Sequence, residues 1–268
     1  MTSEAGRPPV AAGLRLSLTT LTVLPLRAGR VDRRTAALAM AWAPAVGLAL
    51  GAVLAAAAWS LTELGLAPLP SAAVLVALLA LLTRGLHLDG LADTFDALGS
   101  YTAADRSLAI MKSPEAGPLG VAAIAAVLLA DAAALSALVA RHGWLLIAVG
   151  VAVGRLGITL CCARRIPAAR PDGLGALVAG TVPAPVCAAW ALALIALGAV
   201  AGRVTEAAGP GWPAADWVRA GLAVLLGCAV VLLLARQCVR RFGGVTGDVL
   251  GAGCELATAA ALLALSTA

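Results

Sequence analysis

The chain has 268 residues, of which 62% are hydrophobic and only 12% are charged. Too few polar residues remain to cover a water-facing surface, so this composition excludes an ordinary soluble globular protein. The net charge is +5, and the charged residues lie mostly between the apolar runs. This distribution indicates membrane topology and gives no support for nucleic-acid binding.

Apolar runs long enough to cross a membrane recur along the chain, because a spanning helix needs about 20 such residues. The runs are 36–59, 118–140, 143–163, 182–202, 217–235 and 249–268. A shorter run, 71–83, becomes long enough if its helix continues into the polar motif that follows. Residues 13–26 are too short to span and are flanked by arginines, which favours an interfacial helix. The sequence predicts an all-α, polytopic membrane helical bundle of about six to seven transmembrane helices, formed by one domain over residues 1–268.

Basic residues are distributed unevenly between the segments that join the predicted spans. Lys and Arg concentrate in 1–35, 84–117, 164–181 and 236–248, whereas 60–70 contains none. Because basic segments stay on the cytosolic side, we expect a cytosolic N-terminus in a multi-pass protein of the cell (inner) membrane.

The segment HLDGLADTFDALGS (87–100) contains three carboxylates at helical spacing. Asp89, Asp93 and Asp96 are related by i, i+4 and i+7, so they project within one stripe of a helix. Like charges at this spacing destabilise a helix unless a cation lies among them. Mg²⁺ prefers carboxylate oxygens and shares its other positions with phosphates. The stripe predicts a Mg²⁺ site for a diphosphate, with a solvated helix face as the alternative. His87 is a candidate for proton transfer or a structural hydrogen-bond donor.

Three further segments on the same predicted side carry groups that suit a phosphate. Arg106 and Lys112 precede a Gly-Pro turn, and Arg170 precedes an Asp-Gly turn. Asp248 follows a glycine-rich stretch, and we expect it to complete the metal site. The remaining phosphate-binding candidates of this stretch are Gly244, Thr246, Gly247 and Glu255. Basic residues can instead anchor a membrane surface, and glycines can instead allow close helix packing.

Two charged residues lie deep inside consecutive predicted spans. Asp131 and Arg155 lie at similar depth, counted from the short turn that joins their helices. They could form a buried ion pair, or Arg155 could point toward a substrate phosphate with Asp131 as its positioning partner.

The motifs GLHLDGLADTFDALGS, RSLAIMKSPEAGPLG, ARPDGLG and RRFGGVTGDVLGAGCE together resemble cobalamin synthase, the adenosylcobinamide-GDP ribazoletransferase of vitamin B12 assembly. The resemblance runs in order from about residue 13 to the end. It implies a single Mg²⁺-dependent membrane catalytic domain that performs the last assembly step of cobalamin biosynthesis. In this step adenosylcobinamide-GDP and α-ribazole, or α-ribazole 5′-phosphate, give adenosylcobalamin, or its 5′-phosphate, and GMP.

The resemblance also implies roles for individual residues. Asp89, Asp93 and Asp96, completed by Asp248, would hold Mg²⁺ on the diphosphate at a site facing the cytosol. Asp96 would be the general base, with His87 as a second catalytic candidate. Arg155 would match an arginine that family members carry in the span before ARPDGLG. Relatives often have an acidic residue after the basic one at Lys112, whereas this chain has Ser113.

Other functions are compatible with parts of the sequence. A CDP-alcohol phosphotransferase or a membrane prenyltransferase also places Mg²⁺ on a diphosphate, but their motifs fit less well. An ion-coupled transporter would keep carboxylates in its helices, with charges near the midplane and repeated halves. Membrane lipid is an expected partner, and a homo-oligomer is possible.

Overall fold

A computed structural model describes residues 9–27, 29, 31–208 and 216–267. The helices are α1 (Pro9–Leu21), α2 (Arg33–Ala41), α3 (Ala43–Glu63), α4 (Pro68–Leu82), α5 (Leu86–Gly99), α6 (Ala104–Ile110), α7 (Pro118–Ala140), α8 (Trp144–Cys161), α9 (Gly173–Val178), α10 (Ala184–Ala208), α11 (Asp216–Phe242) and α12 (Gly247–Ser266). The described residues form no β-strand, and two isolated bridges join loops. The predicted all-α class is therefore confirmed.

Six helices are long and apolar enough to cross a membrane: α3, α7, α8, α10, α11 and α12. The number rises to seven if α4 and α5 are taken as one bent span, which confirms the predicted polytopic bundle. The predicted run 36–59 is divided, because α2 ends before Trp42 and α3 begins at Ala43 with Pro44 in its first turn. Proline favours a helix start, since its missing N–H has no intrahelical acceptor there.

The predicted continuation of 71–83 into the aspartate motif is wrong. Arg84 and Gly85 both have left-handed backbone conformations, with φ of 58° and 65°, which end α4. The following helix, α5, is turned by 89° relative to α4. As a result α5 lies outside the six spans and carries its carboxylates across one end of the bundle.

Small residues allow the backbones of α3, α8 and α12 to approach closely. A Cβ at Gly157 would lie 2.7 Å from the carbonyl oxygen of Gly253, and a Cβ at Gly47 would lie 2.7 Å from the Cα of Ala152. Such contacts are typical of helix packing in membranes. The spans of α8 and α12 are each 78% buried, so these two helices form the centre of the bundle and support the site.

The helix predicted over 13–26 is present as α1, which packs against α2 at Gly13 and Leu38. Its position at a membrane interface stays a prediction. Residues 1–8 of the basic tail and residues 209–215, which were predicted to lie outside the cell, fall outside the described residues, and the cytosolic N-terminus likewise stays a prediction.

Candidate active site

The two acidic motifs meet where α5 crosses the beginning of α12. A Cβ at Gly90 would lie 2.6 Å from the carbonyl oxygen of Asp248, and a Cβ at Gly251 would lie 3.2 Å from the Cα of His87. Only glycine permits this approach, because the nearest atoms belong to the backbone. The crossing brings Asp89 and Asp248, which are far apart in sequence, into the lining of one cavity.

The electrostatics of Asp93 indicates that the carboxylates converge. The pKa of Asp93 is raised to about 6, mainly by burial and in addition by the charges of Asp89, Asp248 and Asp96, while Arg170 opposes the rise. The crowding of like charges disfavours ionisation of Asp93 in the absence of a cation. The donors are carboxylate oxygens, which are the ligands that a hard divalent cation prefers. The donor types of Asp89, Asp93 and Asp248 suit Mg²⁺, but among the described residues their oxygens do not form a group within 4.8 Å of one another, and their role as metal ligands stays a prediction.

Asp96 lies on the same helix but is engaged elsewhere. Its Oδ2 accepts a hydrogen bond from the N–H of Gly117 at 2.6 Å, and its Oδ1 accepts one from the N–H of Gly120 at 2.8 Å. These donors belong to the beginning of α7, where a negative charge is favourable. Asp96 thus joins α5 to α7. Each oxygen keeps a second lone pair, and the roles of Asp96 as metal ligand and general base stay predictions.

The loops before α9 and α12 are joined by a short parallel pairing. Ala169 donates its N–H to the carbonyl of Val245 at 3.0 Å, and Val245 donates to the carbonyl of Pro167 at 2.9 Å. Gly244 packs so closely against Pro167 and Ala168 that a side chain would collide with their backbone. The close approach of the two loops is sufficient to explain a glycine at position 244. The role of Gly244 in phosphate binding stays a prediction.

The paired loops place a cation beside the acidic cluster. Arg170 Nη2 lies 3.4 Å from Asp248 Oδ2, and the hydroxyl of Thr246 donates to the same oxygen at 3.0 Å. Thr246 also accepts a hydrogen bond from the N–H of Val249 and so caps α12. The structure therefore brings together Arg170, Thr246, Gly247 and Asp248, and their roles toward a phosphate and a metal stay predictions.

Two cavities of about 220 Å³ each adjoin one another and share the lining residues Leu174, Gly247 and Asp248. The other residues of the first, polar cavity are Arg170, Asp172, Gly173, Gly175, Ala176, Val245 and Thr246. The other residues of the second, apolar cavity are Thr20, Leu21, Met40, Leu86, His87, Asp89, Ile158, Leu250 and Gly251. The carboxylate of Asp248 thus borders both.

Several sequence candidates lie inside the bundle, below the carboxylate cluster. His87 Nδ1 is 3.8 Å from Glu255 Oε1, and both residues are buried. Ligand atoms of His87, Cys254 and Glu255 all lie within 4.8 Å of one another, a grouping that the sequence analysis missed because Cys254 lies within an apolar run. Glu255 lines neither large cavity, and its predicted phosphate contact stays a prediction.

Arg155 is completely buried in α8, and none of its three guanidinium nitrogens has a hydrogen-bond partner among the described residues. The direct ion pair with Asp131 is not formed, and Asp131 Oδ1 is also without a partner. The reason is that α7 and α8 make few contacts with each other, whereas both pack along α12. Arg155 lines neither large cavity, and its role toward a phosphate stays a prediction.

The remaining basic candidates lie farther out. Arg106 is exposed on α6, and Lys112 Nζ is 3.8 Å from Asp172 Oδ2 in a pair that is 59% and 70% exposed. Arg33, which was not a candidate, donates to the carbonyls of Ala176 and Ala179 and so holds the end of α9. Its partners are backbone atoms 143 residues or more away, for which the sequence carries no signal.

Comparison with known proteins shows the family of the chain. The family profile described as cobalamin-5-phosphate synthase matches residues 13–266. The chain belongs to the cobalamin-5-phosphate synthase family. Curated relatives named adenosylcobinamide-GDP ribazoletransferase include a Frankia casuarinae protein that is 45% identical over 94% of this chain and 93% of its own length.

Other members of the cobalamin-5-phosphate synthase family with that name come from Nocardioides sp. and Corynebacterium efficiens. The first is 43% identical over 93% of this chain and 96% of its own length, and the second is 41% identical over 94% and 90%. No solved structure matches the chain. The comparisons confirm the resemblance drawn from the motifs and the prediction of a transferase enzyme of cobalamin biosynthesis.

Proposed function

We propose that the chain transfers the adenosylcobinamide phosphate group of adenosylcobinamide-GDP to α-ribazole, or to its 5′-phosphate, and releases GMP. The name of the relatives suggests this reaction. The observation that carries the proposal in this chain is the crossing of Gly90 and Asp248, which brings carboxylates of two distant segments beside two cavities. One cavity is polar and contains a cation, whereas the other is largely apolar, as a diphosphate donor and a nucleoside acceptor require.

Asp89, Asp93 and Asp248 would hold Mg²⁺. When bound, the ion would neutralise diphosphate oxygens and the charge that develops on the leaving GMP. Asp96 would fix the position of the acidic helix through its two hydrogen bonds to the beginning of α7.

The chain's own groups would bind and orient the diphosphate. Arg170 provides a guanidinium that can make two parallel hydrogen bonds to phosphate oxygens. Thr246 and Gly247 lie at the beginning of the 20-residue helix α12, where free N–H groups and the helix dipole favour an anion. These groups lie in the polar cavity, which would therefore receive the GDP side of the donor.

The transfer itself exchanges one P–O bond for another. The 3′-hydroxyl oxygen of ribazole would attack the cobinamide-linked phosphorus in line with the bond to GMP, which breaks with its electrons on GMP. The hydroxyl proton would pass to a carboxylate, for which Asp96 is the candidate general base.

Incubation of the purified protein with adenosylcobinamide-GDP, α-ribazole and Mg²⁺ tests this function. We expect stoichiometric GMP and adenosylcobalamin, loss of turnover in EDTA and recovery with added Mg²⁺. Asp89→Asn, Asp93→Asn and Asp248→Asn should each reduce turnover by about 10²-fold or more, because removal of a metal ligand affects chemistry more than packing.

The matched control is Asp105→Asn, which changes an exposed acidic residue on α6. It should leave turnover unchanged. Absence of product from the wild-type protein would overturn the proposed reaction, and near-normal turnover in two of the three site variants would overturn the metal assignment.

We also propose that the acidic cluster faces the cytosol, because the basic segments lie on its side of the bundle. Ser113 precedes α7 on this side, and Leu64 follows α3 on the other; both are exposed. In intact cells with a permeable outer envelope, a membrane-impermeant maleimide should label Leu64→Cys and leave Ser113→Cys unlabelled. Inside-out vesicles should show the reverse. Labelling of Ser113→Cys in intact cells would show that the orientation is opposite to the one proposed.

A further inference from the structure

The apolar cavity has a composition that separates it from a phosphate site. Its walls come from α1, α2, α5, α8, α9 and α12, and most of its side chains are aliphatic. The acidic residues in its lining are Asp89 and Asp248. The cavity therefore suits a ligand with an apolar body whose reactive polar part lies near these two residues.

The size of the cavity restricts which part of a substrate it can hold. Its volume of about 220 Å³ is below the range of roughly 300–1,000 Å³ that whole drug-sized ligands occupy. A corrin macrocycle is larger than such a ligand and does not fit. A flat, two-ring aromatic base is a suitable occupant, because it is compact and apolar over both faces.

The cavity adjoins the place proposed for the reaction. The polar cavity with Arg170 suits the leaving GDP side, and the apolar cavity shares Leu174, Gly247 and Asp248 with it. An acceptor whose base lies in the apolar cavity would therefore have its hydroxyl, one sugar away, beside the diphosphate.

One wall residue, His87, keeps its polar atoms away from the cavity. Its Nδ1 lies 3.8 Å from Glu255 Oε1 inside the bundle. Both ring nitrogens are buried and make no hydrogen bond within the described part of the chain. His87 therefore offers a ligand in the cavity no hydrogen bond, and the contacts available to that ligand are mainly apolar.

On the basis of the proposed function, we propose that this cavity binds the base of the acceptor nucleoside through apolar contacts. The cavity then determines which acceptor the enzyme uses.

The first experiment fills the cavity from its rim. Leu86 lines the cavity and is 42% exposed, so Leu86→Trp can be accommodated without disturbing the core. We expect the KM for α-ribazole to rise about tenfold or more, as for other changes in pocket fit, with the KM for adenosylcobinamide-GDP unchanged within about twofold. The matched control is Leu81→Trp on the neighbouring helix, which is 71% exposed and outside the cavity lining.

Direct binding separates this inference from the proposed reaction. Calorimetric titration of α-ribazole into wild-type and Leu86→Trp protein measures acceptor binding without turnover. Weaker binding in Leu86→Trp, with Leu81→Trp unchanged, supports the cavity assignment. Equal binding by all three proteins, or a rise in KM for the GDP donor alone, overturns it. Absence of product despite normal α-ribazole binding would refute the reaction and leave the cavity assignment standing.

Discussion

Gly90→Ala tests whether the crossing of α5 and α12 creates the metal site. The added Cβ would lie 2.6 Å from the Asp248 carbonyl oxygen and 3.0 Å from its Cα, whereas ordinary contact begins at 3.4 Å. Because both atoms belong to the backbone, the helices must separate by about 0.8 Å at this point. A misplacement of this size can reduce catalysis by about 10²-fold. We expect kcat/KM to fall about 30- to 100-fold and Mg²⁺ to bind more weakly, with about 1–3 kcal/mol of stability lost through overpacking.

The assay is turnover against Mg²⁺ concentration, together with thermal unfolding of the detergent-solubilised protein. The matched control is Gly221→Ala in α11, where an added Cβ would meet no atom within 4 Å. It should keep full activity and gain about 0.5–1 kcal/mol, because alanine is the better helix former. Normal kcat/KM and normal Mg²⁺ affinity in Gly90→Ala would refute the assignment of the crossing as the origin of the site.

Three further predictions concern the surrounding charges. Asp96→Asn should lower both thermal stability and turnover, because an amide NH₂ cannot accept from the N–H groups that now bond both carboxylate oxygens; unchanged stability would contradict this. Since protons and Mg²⁺ compete for Asp93, whose pKa is raised to about 6, Mg²⁺ affinity should fall by about tenfold per pH unit below 6 and level off above it; a flat profile across this range, measured by calorimetry, would argue against Asp93 as a ligand. Arg155→Gln should not cost the about 3–5 kcal/mol that removal of one partner from a buried ion pair costs, because the Arg155 guanidinium makes no hydrogen bond among the described residues; a loss of that size would show that Arg155 pairs with Asp131 or Glu255, whereas normal stability with abolished turnover would favour a phosphate-binding Arg155.

The sequence was sufficient for the helices and for the acidic stripe, because both depend on local periodicity. Residues 118–140 are the helix α7 as predicted, and Asp89, Asp93 and Asp96 lie together on α5. The break between α4 and α5 was missed, since apolar composition favours continuation and only the left-handed backbone of Arg84 and Gly85 prevents it. Gly85 followed by a polar motif was the available signal.

Contacts between distant segments could be predicted only in part. The placement of Asp248 with the first acidic motif followed from its chemistry, because a diphosphate site needs further ligands and cations. The bonds from Gly117 and Gly120 to Asp96 cross more than 20 residues, and the pairing of Ala168 with Val245 crosses more than 70. Such contacts depend on how α7, α9 and α12 pack, and no local pattern encodes that packing.

The central position of α8 and α12 bears on how the enzyme responds to its bilayer. Their spans are 78% buried, whereas those of α3 and α7 are 33% buried and that of α10 is 22% buried. Lipid thickness acts on a helix through the surface that it exposes to acyl chains, and a mismatch is relieved by tilt. The peripheral helices can therefore tilt with membrane composition while α12 stays fixed by protein contacts. The carboxylate of Asp248, at the first turn of α12, is thereby insulated from hydrophobic mismatch.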